Sequence, residues 1–436
     1  MQLKELDIEK FDQFVRNHKL KSHFLQSAAW GKLSKKKRHL TPYYLGLVDD
    51  KDQIVAATLL LQKKLPLGLC YLYAPRGYVI DFYDHDLLEE FTKQVVKFAK
   101  EKKAIYLKID PDIIWQKTQY NGTIIEVEKQ KKELYNHLQK LGYRHLGFTK
   151  NFETSQPRYT FRIDLHQSME EIEEHFSKTT KQRINKSLKL KTTVKIGNYD
   201  DLTTFFELMM LTEDRKNFVS YQLDYYQELY KLFNEKDKAI LFLGQVNMDD
   251  MLEIIKQNKE DIEKQLESLP KENLSKSNKN KQKELNKQLE KLNKDITKYQ
   301  DIKEKYGNEI TLSAHMIIEY GNKAWVLYAG NHNILTETYT NYHTYYEHLK
   351  YCKNEKLDIY DQFGTIGDLS KDNPRLGLHE FKKKFGGDYI EFMGEFDYVI
   401  KPFFYFVFTK LVPIYRNMVK KRKKKELKHE VSTVKK

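Results

Sequence analysis

A chain of 436 residues with 40% hydrophobic, 32% charged and 13% aromatic side chains, 30 Tyr and 24 Phe among them, carries the apolar area for two or three cores, which excludes a largely disordered protein. Two cysteines, Cys70 and Cys352, exclude a disulfide framework or a zinc cluster and point to a reducing compartment. The net charge of +14 is mostly terminal: residues 401–436 hold 12 Lys or Arg against Glu426 and Glu430, so the preceding 400 residues carry a surplus of only four.

Residues 1–20 mix charged and apolar side chains at helical spacing, without the apolar core of about 7–15 residues that marks a secretory signal. No run reaches the ~18 uninterrupted apolar residues of a spanning helix, so a cytoplasmic protein is expected. From residue 52 to 112 the pattern predicts a strand (DQIVAATLLL), a second strand (LCYLYAPRG), a helix (LLEEFTKQVVKFAKEKK) and a third strand (AIYLKIDPD). Residues 308–365 repeat that order with NEITLSAHMII, AWVLYAGNH, TNYHTYYEHLKYCKNEK and LDIYDQFGT. The shared LYA, at 72–74 and 327–329, falls at the same place in each, where a strand runs into a loop. Two copies of one α+β unit, each a mixed sheet covered by helices, are expected.

Between two runs that read as strands, 239–246 and 309–319, residues 249–306 form a block dense in Lys, Glu, Gln and Asn. Leu252, Ile255, Ile262, Leu266 and Leu269, then Leu285, Leu289, Leu292, Ile296 and Tyr299, step by threes, fours and sevens, which is a heptad seam. The pattern breaks over 270–280. It predicts an antiparallel coiled-coil arm of two helices, about 20 and 25 residues long, inserted into a β-hairpin and projecting roughly 30 Å.

The chain lacks GxGxxG and GKS/T phosphate loops, and none of its 18 glycines forms a GxG. An acetyltransferase using coenzyme A needs such a loop to hold the pyrophosphate, so an acyl-coenzyme A donor is disfavoured. GxSxG and HExxH are missing too, and neither cysteine lies in a reactive frame. Group transfer would then rest on positioning a pre-activated donor beside an amine.

FLQSAAWGKL (24–33), YAPRGYVID (73–81), KIDPD (108–112), QPRYTFRIDL (156–165), SKTTKQRI (177–184), WVLYAGNH (325–332) and IYDQFGT (359–365) together resemble the Fem (FemABX) family, in order, from about residue 24 to 419. That family comprises the aminoacyl-tRNA-dependent transferases that build peptidoglycan interpeptide bridges. The resemblance implies two acetyltransferase-like (GNAT-like) domains, many members carrying a helical hairpin in the second. It implies a reaction in which an amino group on the peptide stem of a lipid-linked precursor attacks the ester of an aminoacyl-tRNA, with no metal or organic cofactor.

Carried over position by position, the resemblance gives Asp110 of KIDPD as a carboxylate that orients the attacking ammonium or takes its proton, its plainer role being a turn cap before Pro111. Lys382 of EFKKKFGG matches a lysine near the tRNA end or the developing oxyanion, its plainer reading being a solvated basic run with Lys383 and Lys384. Tyr328 and Tyr225 match substrate-contacting tyrosines; Tyr225 would also suit a core stripe with Leu229 and Leu232. Two positions depart from the pattern. The basic residue expected after Trp30 is Ser34, flanked by Lys32 and Lys35, and the arginine expected four residues before Tyr225 is Tyr221. Either Arg215, Arg76 or Arg158 would then replace that phosphate contact, although Arg158 also suits a buried pair with a carboxylate, or the acceptor differs from the usual one.

The aromatic run 402–415, with Phe403, Phe404 and Phe406, leads into a basic run that includes Lys420, Lys421 and Arg422, which pairs an insertion surface with an anionic-lipid patch. The plainer reading is a core helix with a Lys-rich tail. The expected partners are aminoacyl-tRNA, the lipid-linked precursor and the inner face of the plasma membrane. The expected domains are 1–150, completed by about 388–410, and 151–387, with the arm at 249–306 and a membrane-proximal tail at 402–436. The competing functions are an acyl-coenzyme A N-acyltransferase on a small amine and a non-catalytic scaffold for tRNA and membrane.

Overall fold

The computed structural model describes residues 1–19, 21–216, 220–270 and 275–412. The chain divides into two compact α+β units. The first comprises Met1–Phe161, Gly364–His379 and the chain from Asp388 on; the second comprises Arg162–Phe363 and Glu380–Gly387.

In the first unit seven strands lie in the order Gln2–Glu5, Thr41–Val48, Ile54–Lys64, Cys70–Ala74, Ala104–Ile109, Phe396–Val399 and Tyr143–His145. The first four pair antiparallel. Cys70–Ala74 and Ala104–Ile109 then run parallel, a geometry that needs a crossover, and the helix His85–Glu101 provides it. Asp84 starts that helix by accepting the Leu87 N–H at 3.0 Å, and Leu88, Phe91, Val95, Val96 and Ala99 give it one buried face. They pack on Leu60, Leu72 and Leu107 of the sheet. Phe396–Val399, from near the other end of the chain, joins antiparallel beside Ala104–Ile109. In a smaller group of this unit Ile114–Thr118 lies antiparallel between Asp388–Phe392 and Ile124–Ile125.

The second unit repeats this plan. Thr193–Gly197, Lys238–Asn247, Glu309–Tyr320 and Lys323–Asn331 pair antiparallel. The helix Thr340–Asn354 then crosses to Ile359–Asp361, which lies parallel to Lys323–Asn331. Residues 162–164 of the strand Tyr159–Asp164 add an antiparallel neighbour from far away in sequence, as Phe396–Val399 does in the first unit. The two LYA segments occupy matching positions, at the ends of Cys70–Ala74 and within Lys323–Asn331. Ile240, Phe242, Ile317, Val326, Leu349 and Tyr360 form the core.

A helical hairpin interrupts the ladder between Lys238–Asn247 and Glu309–Tyr320. That ladder closes with Asn247 opposite Glu309, and Met248 N–H donates to the Asn308 carbonyl at 2.8 Å. The helices are Met248–Glu267 and Lys276–Tyr306. Met248, Met251, Leu252, Ile255 and Tyr299 bury the root against Ile310, Leu312 and Leu335, and Lys303 pairs with Asp249 across it. Farther out, Leu285 is buried and Leu289, Leu292 and Ile296 are half-buried. The second helix has 31 residues rather than about 25. Ser275 caps it by accepting the Asn278 N–H at 3.2 Å, so the turn before the apolar pattern is already helical.

Among the described residues no helix is long and apolar enough to cross a membrane. The described chain ends in the helix Pro402–Phe406, which continues as a wider turn over Val407–Leu411.

Candidate functional site

In the first unit, Asp110 follows the strand Ala104–Ile109 and is buried at 2% exposure. One carboxylate oxygen accepts the Tyr73 hydroxyl at 3.0 Å and the other accepts the Arg76 N–H at 2.7 Å. Arg76 sits at φ +53°, a backbone region costly for a side chain of its size, and the Asp110 contact holds it there. Burial pushes the Asp110 carboxyl up to about 7; Arg76 pulls it back and Glu395 adds to the rise. The Arg76 guanidinium donates to the Pro157 carbonyl at 2.5 Å and lies 4.2 Å from the Phe392 ring centroid.

Two residues before Asp110, Lys108 places its ammonium 2.8 Å from Glu395 and 3.2 Å from Asp397. Burial works against that charge, but Asp397 and Glu395 outweigh it, and the lysine pKa is raised. A pocket of about 340 Å³ opens here, lined by Arg38, Lys63, Tyr71, Tyr73, Tyr106 and Lys108 among others. The Tyr71 and Tyr106 rings stack at 5.0 Å, 6° from parallel. The wall thus combines cations, phenol hydroxyls and aromatic faces, a lining suited to an anion attached to an apolar or planar group.

The helix Ala28–Arg38 explains the displaced lysine. Ser34 is fully buried, so a cation at that position would face the interior, whereas Lys32 is half-buried and Lys35 exposed. Arg38, one turn beyond Lys35 on the same face, is the residue of this helix that lines the pocket. The spacing of Lys35 and Arg38 was the available signal for it.

In the second unit, the helix Leu223–Phe233 and the strand Lys323–Asn331 assemble a cluster of tyrosines. Tyr221 stacks on Tyr225 at 3.8 Å and 12°, the Tyr225 hydroxyl lies 3.2 Å from that of Tyr328, and Tyr226 meets Tyr328 edge-on at 5.2 Å. Tyr225 and Tyr226 are buried, while Tyr221 is 41% exposed. Burial, then the neighbouring Tyr225 and Tyr221, raises the Tyr328 hydroxyl well above its ordinary pKa, so it stays protonated and acts as a hydrogen-bond donor or acceptor rather than a base. Gly330 admits the helix Leu202–Lys216: a Cβ there would stand 2.7 Å from backbone atoms of Leu208 and Met209.

Lys382, near the end of the helix Leu376–Lys383, is 6% exposed. Its ammonium donates to the Gln362 carbonyl at 2.7 Å and to the Phe363 carbonyl, and the Gln362 side chain donates back to the Lys382 carbonyl at 3.1 Å. Asp361 accepts the Phe363 N–H at 2.8 Å and pairs with Arg162 at 2.7 Å. Phe363 has φ +50° and Gly364 φ +41°, so the group fastens a left-handed turn, as Asp110 does in the first unit. Burial lowers the Lys382 pKa to about 7, with Asp361 acting in the opposite sense.

Arg158 is committed within the first unit. Its guanidinium pairs with Glu391, donates to the Tyr159 hydroxyl at 2.8 Å and to the Thr149 carbonyl at 3.2 Å, and lies 4.6 Å from the Phe148 ring centroid. Arg215 is exposed. Phe403 and Phe406 are 72% and 55% exposed, but Phe404 is half-buried and packs inward beside Tyr405. Lys420, Lys421 and Arg422 lie outside the described residues. Among the described residues no three His, Cys, Asp or Glu side chains converge as a metal-ligand set.

The structure therefore brings Tyr221, Tyr225 and Tyr328 together, and Asp110 with Arg76. Sequence reasoning passed over Tyr73, Lys108, Glu395, Arg162 and Asp361. Most are charged residues inside otherwise apolar strands, and that was the signal available for them.

A model of the FemAB family matches residues 6–412. A lipid II:glycine glycyltransferase of Staphylococcus haemolyticus (strain JCSC1435) is 31% identical over 415 residues, covering 93% of this chain and 94% of that protein. Its counterpart in Staphylococcus aureus (strain USA300) is 29% identical over 419 residues, with the same coverage. The crystal structure of FemX superposes with a TM-score of 0.74 at 25% identity, over 93% of this chain and 99% of that one.

Proposed function

Because the chain belongs to the FemAB family, we propose that it transfers an amino acid from aminoacyl-tRNA to the peptide stem of lipid II, extending the interpeptide bridge at the membrane surface. The observation that carries this reading is the match to the lipid II:glycine glycyltransferases over 93% of the chain, which takes in both units. In the reaction the stem amine attacks the ester carbonyl, an amide C–N bond forms, the ester C–O bond breaks, and the ribose hydroxyl leaves with a proton. The ester is already activated, so holding the reactants in line supplies much of the acceleration.

Asp110 is the group that accepts the ammonium proton. Its pKa near 7 suits the task, and each of its oxygens keeps a lone pair beyond the bonds to Tyr73 and Arg76. In the second unit Tyr328, held protonated, offers a hydroxyl to substrate, while the buried Lys382 ammonium braces the turn at Phe363. The pocket with Arg38 and Lys63 takes the precursor's diphosphate, a role for which Tyr221 is chemically unsuited.

The test incubates the purified chain with individual charged tRNAs and lipid-linked pentapeptide and weighs the product by mass spectrometry. One or more added amino-acid residues are expected. No transfer from any charged tRNA would reject the reading, and transfer from an acyl-coenzyme A instead would replace it.

A further inference from the structure

The turn Pro66–Gly68 carries Leu67 at its tip, 82% exposed, the highest value among the exposed large hydrophobic residues described. Leu67 adopts φ +62° and is followed by Gly68 at φ +65°. A leucine is a poor choice there on both counts: it pays for a left-handed backbone that Gly or Asn would take cheaply, and it holds an apolar side chain in water. The turn is braced. Leu65 N–H donates to the Leu69 carbonyl at 2.8 Å, and Leu69 N–H reaches the Pro66 carbonyl at 3.3 Å.

Leu65 and Leu69, on either side of the tip, pack in one apolar cluster with Phe404, Tyr405 and Phe408 of the C-terminal helix. Outside that cluster the same helix leaves Phe403, Phe406 and Leu411 exposed. Segments more than 330 residues apart in the chain thus share one apolar base and both present large hydrophobic side chains to solvent. Lys63 and Lys64 are exposed on the strand that leads into the turn, and Lys410 is exposed on the helix. In sequence, residues 416–436 add ten Lys or Arg against two Glu.

We propose that Leu67 is a second membrane anchor of the first unit, inserting beside Phe403 and Phe406 into an anionic lipid bilayer. The cations around the apolar side chains select an anionic lipid surface over a protein partner, each one near such a surface strengthening attachment about fivefold. This inference rests on the proposed action on a lipid-linked acceptor and adds how the acceptor is met. Tyr71 and Tyr106 belong to the same apolar cluster and also line the pocket with Arg38 and Lys63, so insertion of Leu67 would bring the wall of that pocket toward the lipid surface.

The experiment measures binding of the full chain to vesicles of phosphatidylglycerol and phosphatidylcholine by co-sedimentation. Leu67→Asn keeps a residue that tolerates positive φ and removes the apolar side chain, and it is expected to weaken binding about tenfold. Leu188→Asn, at another exposed leucine in the second unit, is expected to leave binding unchanged. In a Leu67→Trp variant the indole emission should shift to the blue on adding these vesicles and be quenched by brominated lipid. Full-strength binding of Leu67→Asn together with an unshifted Leu67→Trp spectrum would overturn the inference while leaving the transferase reading untouched. Absence of wild-type binding, or equal binding to pure phosphatidylcholine vesicles, would overturn it as well. The transferase reading fails separately, in the charged-tRNA assay, which uses detergent-solubilised acceptor and no vesicles.

Discussion

Replacing Asp110 by Asn tests whether the carboxylate is held against its own folding preference. Asparagine is nearly isosteric: its carbonyl oxygen can still accept the Arg76 N–H, and its amide can donate to the Tyr73 hydroxyl once that rotor turns. What disappears is a buried charge. A carboxyl whose pKa rises from 3.8 unfolded to about 7 folded contributes stability that is complete below pH 4 and is lost as pH rises through 7. At 1.36 kcal/mol per pKa unit the loss is about 4 kcal/mol, and relaxation or water entry trims what is observed to about 2–4 kcal/mol. The variant is therefore expected to melt roughly 4–16 °C above wild type at pH 8, given about 2–4 °C per kcal/mol for a unit of this size, and to match it near pH 4. Differential scanning calorimetry at the two pH values is the assay. In the proposed reaction the same stabilised protein loses transfer activity, because its side chain can no longer take a proton. An offset between the two proteins that is the same at pH 4 and pH 8 would refute the reasoning, since the carboxyl would then ionise normally.

Three further outcomes are expected. Arg158→Ala leaves Glu391 without its buried cation and should cost about 3–5 kcal/mol in urea unfolding; Arg158→Lys should recover only a minor part, since a point charge cannot serve Glu391, Tyr159 and Thr149 at once. Gly330→Ala should cost about 1–3 kcal/mol, seen as a lower denaturation midpoint, because the added methyl meets the backbone of Leu208 and Met209 rather than a side chain able to turn away. Lys382 has its pKa lowered to about 7, so its charged form is penalised in the fold; wild-type stability should rise between pH 7 and about 10, and comparison with Lys382→Met across that range should show the variant lacking the rise.

The repeated unit was legible because its signals are local: period-two strands, an amphipathic helix and the LYA segment at one register. The heptad seam likewise marked the two helices of the insertion, and only the start of the second was missed, where Ser275 caps a turn without apolar residues. The side-chain partnerships were not legible, because they join residues far apart in the chain. Arg158 meets Glu391, Lys108 meets Glu395, and Tyr225 meets Tyr328 across 103 positions. A run such as LDYY states that tyrosines are present, but the face that meets them comes from a strand placed by the whole sheet. The burial of Ser34, with Lys35 exposed and Arg38 half-buried at the pocket, depends in the same way on how the helix Ala28–Arg38 seats.

The helical hairpin has a consequence for how this fold can vary. Its two ends are clasped by one ladder, Asn247 opposite Glu309, so to the sheet the whole excursion is a single turn. Lengthening or trimming it by matched heptads on both helices would preserve the seam while leaving every strand pairing in place, and closing a longer loop adds little entropy once its stem is zipped. The root is the exception, since Met251, Leu252 and Ile255 are bricks in the wall that Ile310, Leu312 and Leu335 complete. Evolution, or a protein engineer, thus has a reach that can be adjusted at the outer end like a telescoping pole, provided the socket is left alone.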